Sequence, residues 1–195
     1  MTSTSNLQIV QRHLPEQCYS YSSAGNKPKS LTEILGIVQH YFSGRFAFPD
    51  DKYDADKCWQ LMHDLNFEPG DRRYDVYAGP KISASAHFIN PRTGPVIECV
   101  PLRYRAHHAG TSWWDGRKGC NRFMIGIENI GSYGDPYTDS QYENLANLVA
   151  QLMLEHPSIR RDYHVGHSDV SPGRKKDPGP SFDWNRLNEM IDSVI

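Results

Sequence analysis

The stretch that most restricts how this 195-residue chain can fold is 166–184, GHSDVSPGRKKDPGPSFDW. Pro172, Gly173, Pro178, Gly179 and Pro180 punctuate it, and breakers this dense predict turns in place of a regular helix or strand. A loop made rigid in this way aims side chains at one point from a scaffold. His167 and Asp177 flank the turn-former Pro172-Gly173. A reversal there brings an imidazole and a carboxylate together, a pair suited to zinc, with Lys175 close by. Read alone, the same residues equally describe a solvated surface loop, the commoner fate of charges in a polar segment.

The remaining chain has to supply the scaffold. Its length suits a single domain able to bury a core. A formal net charge of −2 provides no global positive field, which argues against nucleic acid or an anionic membrane as partner. Cys18, Cys58, Cys99 and Cys120 are widely spaced and form no CxxC pair. That speaks against a cysteine-based zinc site and a dense disulfide framework, and leaves a single disulfide open. No apolar run approaches the ~20 residues that span a bilayer. The N-terminus lacks a basic region followed by an apolar core, so no signal peptide is expected and the protein is predicted to be cytoplasmic. A monomer is expected.

Residues 1–30 are polar and rich in turn formers, and read as an irregular N-terminal arm; residues 31–195 carry the candidate domain. The branched apolar run 34–40 suits a buried strand ending on His40. Residues 54–66 place Cys58, Leu61, Met62 and Leu65 on one helical face. A strand over 83–89, a turn at 90–94 and a returning strand over 96–100 form a hairpin, with His87 read as structural. The segment 104–121 has too many breakers for a helix. Its Trp113-Trp114 pair serves as a core anchor or as a platform for a sugar ring. At most one of the adjacent His107 and His108 faces a common site. A second apolar run, 123–128, terminates on Glu128, where burial would raise the carboxyl's pKa toward that of a general base or acid. Thr138 to Gln141 is a capping box for a helix reaching about 156. A short strand over 163–167 again ends on a histidine, and Asp183 caps a last helix. Strands interleaved with helices predict a single α/β domain with a central mixed sheet flanked by helices.

Three runs thus end on His40, Glu128 and His167, and the loop after the last adds Lys175 and Asp177. Two histidines and an aspartate are three N/O ligands that leave a tetrahedral position open, as a catalytic zinc requires. Glu128 is then a candidate base, and Lys175 a candidate for stabilising an oxyanion.

On the segments 37–40, 85–88, 108–112, 120–128 and 166–184, in that order, the chain resembles the type 2 family of zinc-dependent N-acetylmuramoyl-L-alanine amidases, and within it the AmpD-like branch that recycles anhydromuropeptides. HSDVSPGRKKDPG is the most specific of these matches. The resemblance implies one catalytic Zn2+ at the edge of the sheet, held by His40, His167 and Asp177, with Glu128 and Lys175 catalytic. It implies Arg174 as the ligand of a stem-peptide carboxylate, and His108 and Trp113 are expected as further substrate-binding residues. His164 and Asp169 fall outside the metal pattern and read as structural. The implied activity is hydrolysis of the amide between N-acetylmuramic acid and L-alanine in peptidoglycan or muropeptides. The rival reading is a non-catalytic peptidoglycan-binding module of the same fold.

Overall fold

The computed structural model describes residues 7–19, 29–31, 33–45, 48–64 and 84–195. The turn formers of 20–28, the helix end at 65–66 and the strand start at 83 lie outside them. The centre of the molecule is a pair of parallel strands, β2 (Gly36–Phe42) and β7 (Met124–Ile130). Both continue past the predicted ends, His40 and Glu128. The reason is that the ladder pairs them from Gly36↔Met124 through Phe42↔Ile130. Backbone pairing, not side-chain polarity, decides where a strand stops.

Around this pair the sheet runs β1 (Ile9–Gln11), β4 (Val96–Glu98), β3 (Phe88–Asn90), β7, β2 and β8 (His164–Gly166). Only the β3–β4 hairpin is antiparallel, so the sheet is mixed, as expected. The expected irregular arm contributes a surprise: Ile9–Gln11 pairs along Val96–Glu98 and extends the sheet at that edge.

Strand alternation sends Ile37, Ile125 and Ile127 to one face. There they meet α2 (Asp139–Glu155) and α4 (Trp184–Asp192) through Leu145, Leu148, Val149, Leu152, Leu187 and Ile191, all buried. The capping box of α2 is present: Gln141 N–H donates to Thr138 Oγ1 at 3.1 Å, and Thr138 N–H to Gln141 Oε1 at 3.1 Å. Asp183 caps α4 by accepting from Arg186 N at 2.9 Å. On the opposite face Val38 and Met124 pack with Cys120, Phe123, Tyr163, Val165 and Val170. Helix α1 (Ala55–Asp64) closes a third apolar cluster through Cys58 and Met62. All four cysteines are buried and free, which settles the disulfide question.

Two local departures concern segments read as loops. Trp113–Trp114 (β5) and Arg117–Lys118 (β6) form a small hairpin, with Asp115 and Gly116 at its tip in positive φ (46° and 75°). Asp-Gly is the pair that such a tight turn favours. In the breaker-dense stretch, His167–Val170 makes one helical turn, α3, before Pro172 stops it. Asp169 Oδ2 accepts Gly166 N–H at 2.7 Å and stabilises its start.

Candidate metal centre

Three elements converge beside β2. His40 projects from the strand, His167 opens α3, and Asp177 comes from the loop behind it. That loop is closed by Ser168 N–H donating to the Asp177 carbonyl at 2.9 Å. Gly166 permits the close approach, because a Cβ there would lie 2.6 Å from Pro178 Cδ. His40 Nδ1 lies 2.9 Å from His167 Nδ1 and 3.0 Å from Asp177 Oδ2, and His167 Nδ1 lies 2.9 Å from the same oxygen. All three residues are buried, and among the described residues they form the one group of such side chains able to hold a metal ion.

The donor set fits zinc. His167 Nε2 lies 3.1 Å from the Ala109 carbonyl and 3.2 Å from Arg174 Nη2; with its proton directed at the carbonyl, Nδ1 turns an unprotonated lone pair inward, as a zinc ligand must. A carboxylate has only acceptors. Acceptors gathered this closely are tolerated beside a cation, and zinc bonds of about 2.0–2.1 Å set tetrahedral ligands roughly 3.3 Å apart. Burial pushes His40 down to about 4, although the nearby Asp177 carboxylate opposes this, so the ring is neutral at pH 7 as ligation requires. Burial pushes the Asp177 carboxyl up, but its close contacts with the imidazoles of His167 and His40 outweigh this and hold it well below the usual range.

Glu128 stands beside His40 in the parallel register. Its Oε2 is shielded from solvent and has no hydrogen-bond partner. Burial, then the charge of Asp177, pushes its pKa well above the ordinary value, and Lys175 pulls it back. Glu128 and Lys175 line one cavity of ≈ 400 Å³ with the three ligand residues, Lys175 from an exposed position. The cavity also shows what sequence reasoning missed. Tyr41 lines it, although strand alternation directs the neighbour of His40 away. His107 and His108 both line it, against the expectation of at most one, because 105–108 adopt no regular strand that would alternate them.

Arg174 bridges two cavities. Its Nη2 donates to Ala109 O (2.6 Å), Thr111 O (2.9 Å) and Ser171 Oγ (2.7 Å). It lines the metal cavity and a neighbouring one of ≈ 470 Å³, where Trp113 stands 54% exposed. His108 is buried behind His40. His87 lies deeper still: its Nδ1 accepts from Gly126 N at 2.9 Å and its Nε2 donates to Tyr104 O at 3.1 Å. His164 is no part of the ligand group; its Nε2 meets Gln39 Nε2 at 3.0 Å and its ring packs edge-on against Trp184.

Two histidines and an aspartate gathered beside a mixed sheet, with a carboxylate and a lysine lining the same cavity, define a zinc-dependent hydrolase. The family described as N-acetylmuramoyl-L-alanine amidase matches residues 30–180, and the chain belongs to that family. It is similar to the 1,6-anhydro-N-acetylmuramyl-L-alanine amidase AmpD of Haemophilus influenzae, at 46% identity over 189 residues, covering 95% of this chain and 98% of that one. The AmpD of Enterobacter cloacae is also 46% identical, over 110 residues that span 56% of this chain and 58% of that protein. Among solved structures, a selenomethionine derivative of AmpD superposes with a TM-score of 0.73 at 29% identity, over 97% of each chain.

Proposed function

We propose that this enzyme hydrolyses the amide between N-acetylmuramic acid and L-alanine in soluble 1,6-anhydromuropeptides, the substrate class named in its relatives. The observation that carries the reading is one cavity holding a three-ligand metal group, a carboxylate whose Oε2 is shielded from solvent with no hydrogen-bond partner, and a lysine. His40, His167 and Asp177 would hold the zinc, which when bound polarises the scissile carbonyl and makes water acidic enough to deprotonate near neutral pH. Glu128 takes that proton; beside a dication its raised pKa is pulled back and the carboxylate is available as a base. Lys175, an exposed residue lining the same cavity, is the cation that would stabilise the negative charge growing on the carbonyl oxygen. Arg174 engages a carboxylate of the stem peptide, and the exposed face of Trp113 stacks on a sugar ring.

This reading takes residues 31–195 as the catalytic unit, acting as a monomer in the cytoplasm. No described helix is long and apolar enough to cross a membrane. The test offers purified protein 1,6-anhydromuropeptides and intact sacculi in parallel, with zinc content measured on the same preparation. Release of stem peptide from the soluble fragments at a much higher rate supports the proposal. Preference for sacculi would redirect it to wall lysis, and zinc-free, inert protein would favour a binding module.

A further inference from the structure

We infer that His108 is a positioning residue for the metal: its Nδ1 accepts the Nε2 proton of His40 and thereby leaves His40 Nδ1 unprotonated toward the ligand group. The inference rests on His40 being a zinc ligand, as read above. With a cation among the ligand atoms, the chain of contacts has one consistent set of proton positions. His108 Nε2 lies 3.1 Å from the Met124 carbonyl, which can only accept, so Nε2 carries the proton of a neutral ring. His108 Nδ1 is therefore an acceptor, and it lies 3.0 Å from His40 Nε2. His40 Nε2 must then donate, which puts its lone pair on Nδ1, the atom that faces His167 and Asp177. The opposite tautomer of His108 would press two acceptors together at the Met124 carbonyl and place a proton on His40 Nδ1.

The surroundings hold His108 in this role. Its ring is buried and packs edge-on against those of His40 and His87, with centroids 5.1 and 5.7 Å apart. The ring lies flat in a slot that exists because position 126 has no side chain: a Cβ there would meet His108 Cγ at 2.3 Å. Asn121 Oδ1 accepts from the backbone N–H of His108 (3.2 Å) and of Ala109 (2.7 Å), fixing the segment that carries the ring. The Ala109 carbonyl in turn orients His167. Both ligand histidines are thus aimed from one short segment, His40 by a side chain and His167 by a backbone carbonyl. Partners that orient metal ligands typically contribute 10–100-fold to metal affinity.

Two variants of similar shape test the acceptor itself. The Oδ1 of His108→Asn falls near the lost Nδ1 and can accept from His40, whereas His108→Leu cannot. Zinc affinity is measured by chelator competition, alongside the visible spectrum of the cobalt-substituted proteins and thermal unfolding of the metal-free ones. The expected result is a roughly 10–100-fold loss of zinc affinity with an altered cobalt spectrum for Leu, and recovery to within a few-fold for Asn. Equal affinities in Asn and Leu, whether both weak or both normal, would overturn the inference. Should the metal-free Leu protein fail to fold, His108→Ala replaces it in the same comparison with Asn. His40→Ala serves as the reference: zinc retained there removes the ligand reading itself, while zinc lost there with unaltered His108→Leu removes only the role of His108.

Discussion

The two faces of the β2–β7 pair bury polar side chains to opposite ends. On the face toward α2 and α4, Asn129 Nδ2 donates to Gln39 Oε1 and to the His40 carbonyl, both at 2.9 Å. Asn90 Nδ2 donates to Asn129 Oδ1 at 2.8 Å, and Gln141 Nε2 to the Ile130 carbonyl at 3.1 Å. Apart from His164 Nδ1, that network closes on itself. On the other face, Glu128 Oε2 has no partner and three ligand atoms crowd together. A buried polar atom left without a partner costs about 1–3 kcal/mol. The contrast teaches where the fold is finished by its own residues and where it is completed by something from outside.

The sharpest way to break the comparison is to remove a ligand from the open face. His40→Ala or His167→Ala is expected to lose most bound zinc and nearly all turnover together, since the residues left cannot hold a tetrahedral site with an open position. Stoichiometric zinc with near-normal turnover in either variant would remove the assignment. Next in size, Glu128→Gln should lower turnover by about 10²–10⁴ while zinc content and muropeptide affinity survive. Loss of zinc there would make Glu128 a ligand or a support; full turnover would move the base elsewhere.

The closed face should respond in the opposite sense. Leu145→Ala, in the cluster beneath α2, is expected to cost about 2–5 kcal/mol of stability by leaving a cavity, with zinc affinity unchanged. A matched fall in zinc affinity would show that the faces are not separable. The smallest expected effect is a pH dependence. Burial pushes His87 down to about 4, so the unfolded chain binds a proton that the folded one refuses. The contribution of His87 to stability is therefore full above the unfolded value near 6.5 and is lost as pH falls toward 4, by about 2 kcal/mol between pH 7 and 5. Urea unfolding of metal-free protein at those two values measures it, and His87→Gln, which does not titrate, should flatten the slope. An identical slope in that variant would assign the loss to other groups.

Much of this was legible in the chain. Thr138 and Gln141 announced α2 through local hydrogen bonding alone, and the apolar runs at 34–40 and 123–128 announced the central strands. The cluster of His40, His167 and Asp177 was legible because a rigid loop and a motif of high specificity fell in the same stretch. What failed to show was non-local. Ile9–Gln11 is too short for any period to declare it, and becomes a strand only because Val96–Glu98 offers an unpaired edge. The β5–β6 hairpin did carry a signal in Asp115-Gly116, hidden by surrounding breakers. His108 was singled out only as a substrate-binding residue; its position behind His40 depends on a glycine on another strand.

The pairing His40↔Glu128 carries one more consequence. Neighbouring strands lie about 4.8 Å apart, a spacing fixed by backbone hydrogen bonds and not by side-chain choice. The sheet therefore acts as a ruler that sets the gap between proton acceptor and metal ligand. Such a gap changes only by whole register steps, and a slip of one residue turns every side chain of a strand to the other face. Gradual sequence drift thus has little grip on the chemistry, whereas the loops bearing Trp113 and Arg174 can be reshaped residue by residue. A lineage built on this ruler is free to change what it recognises long before it can change what it does.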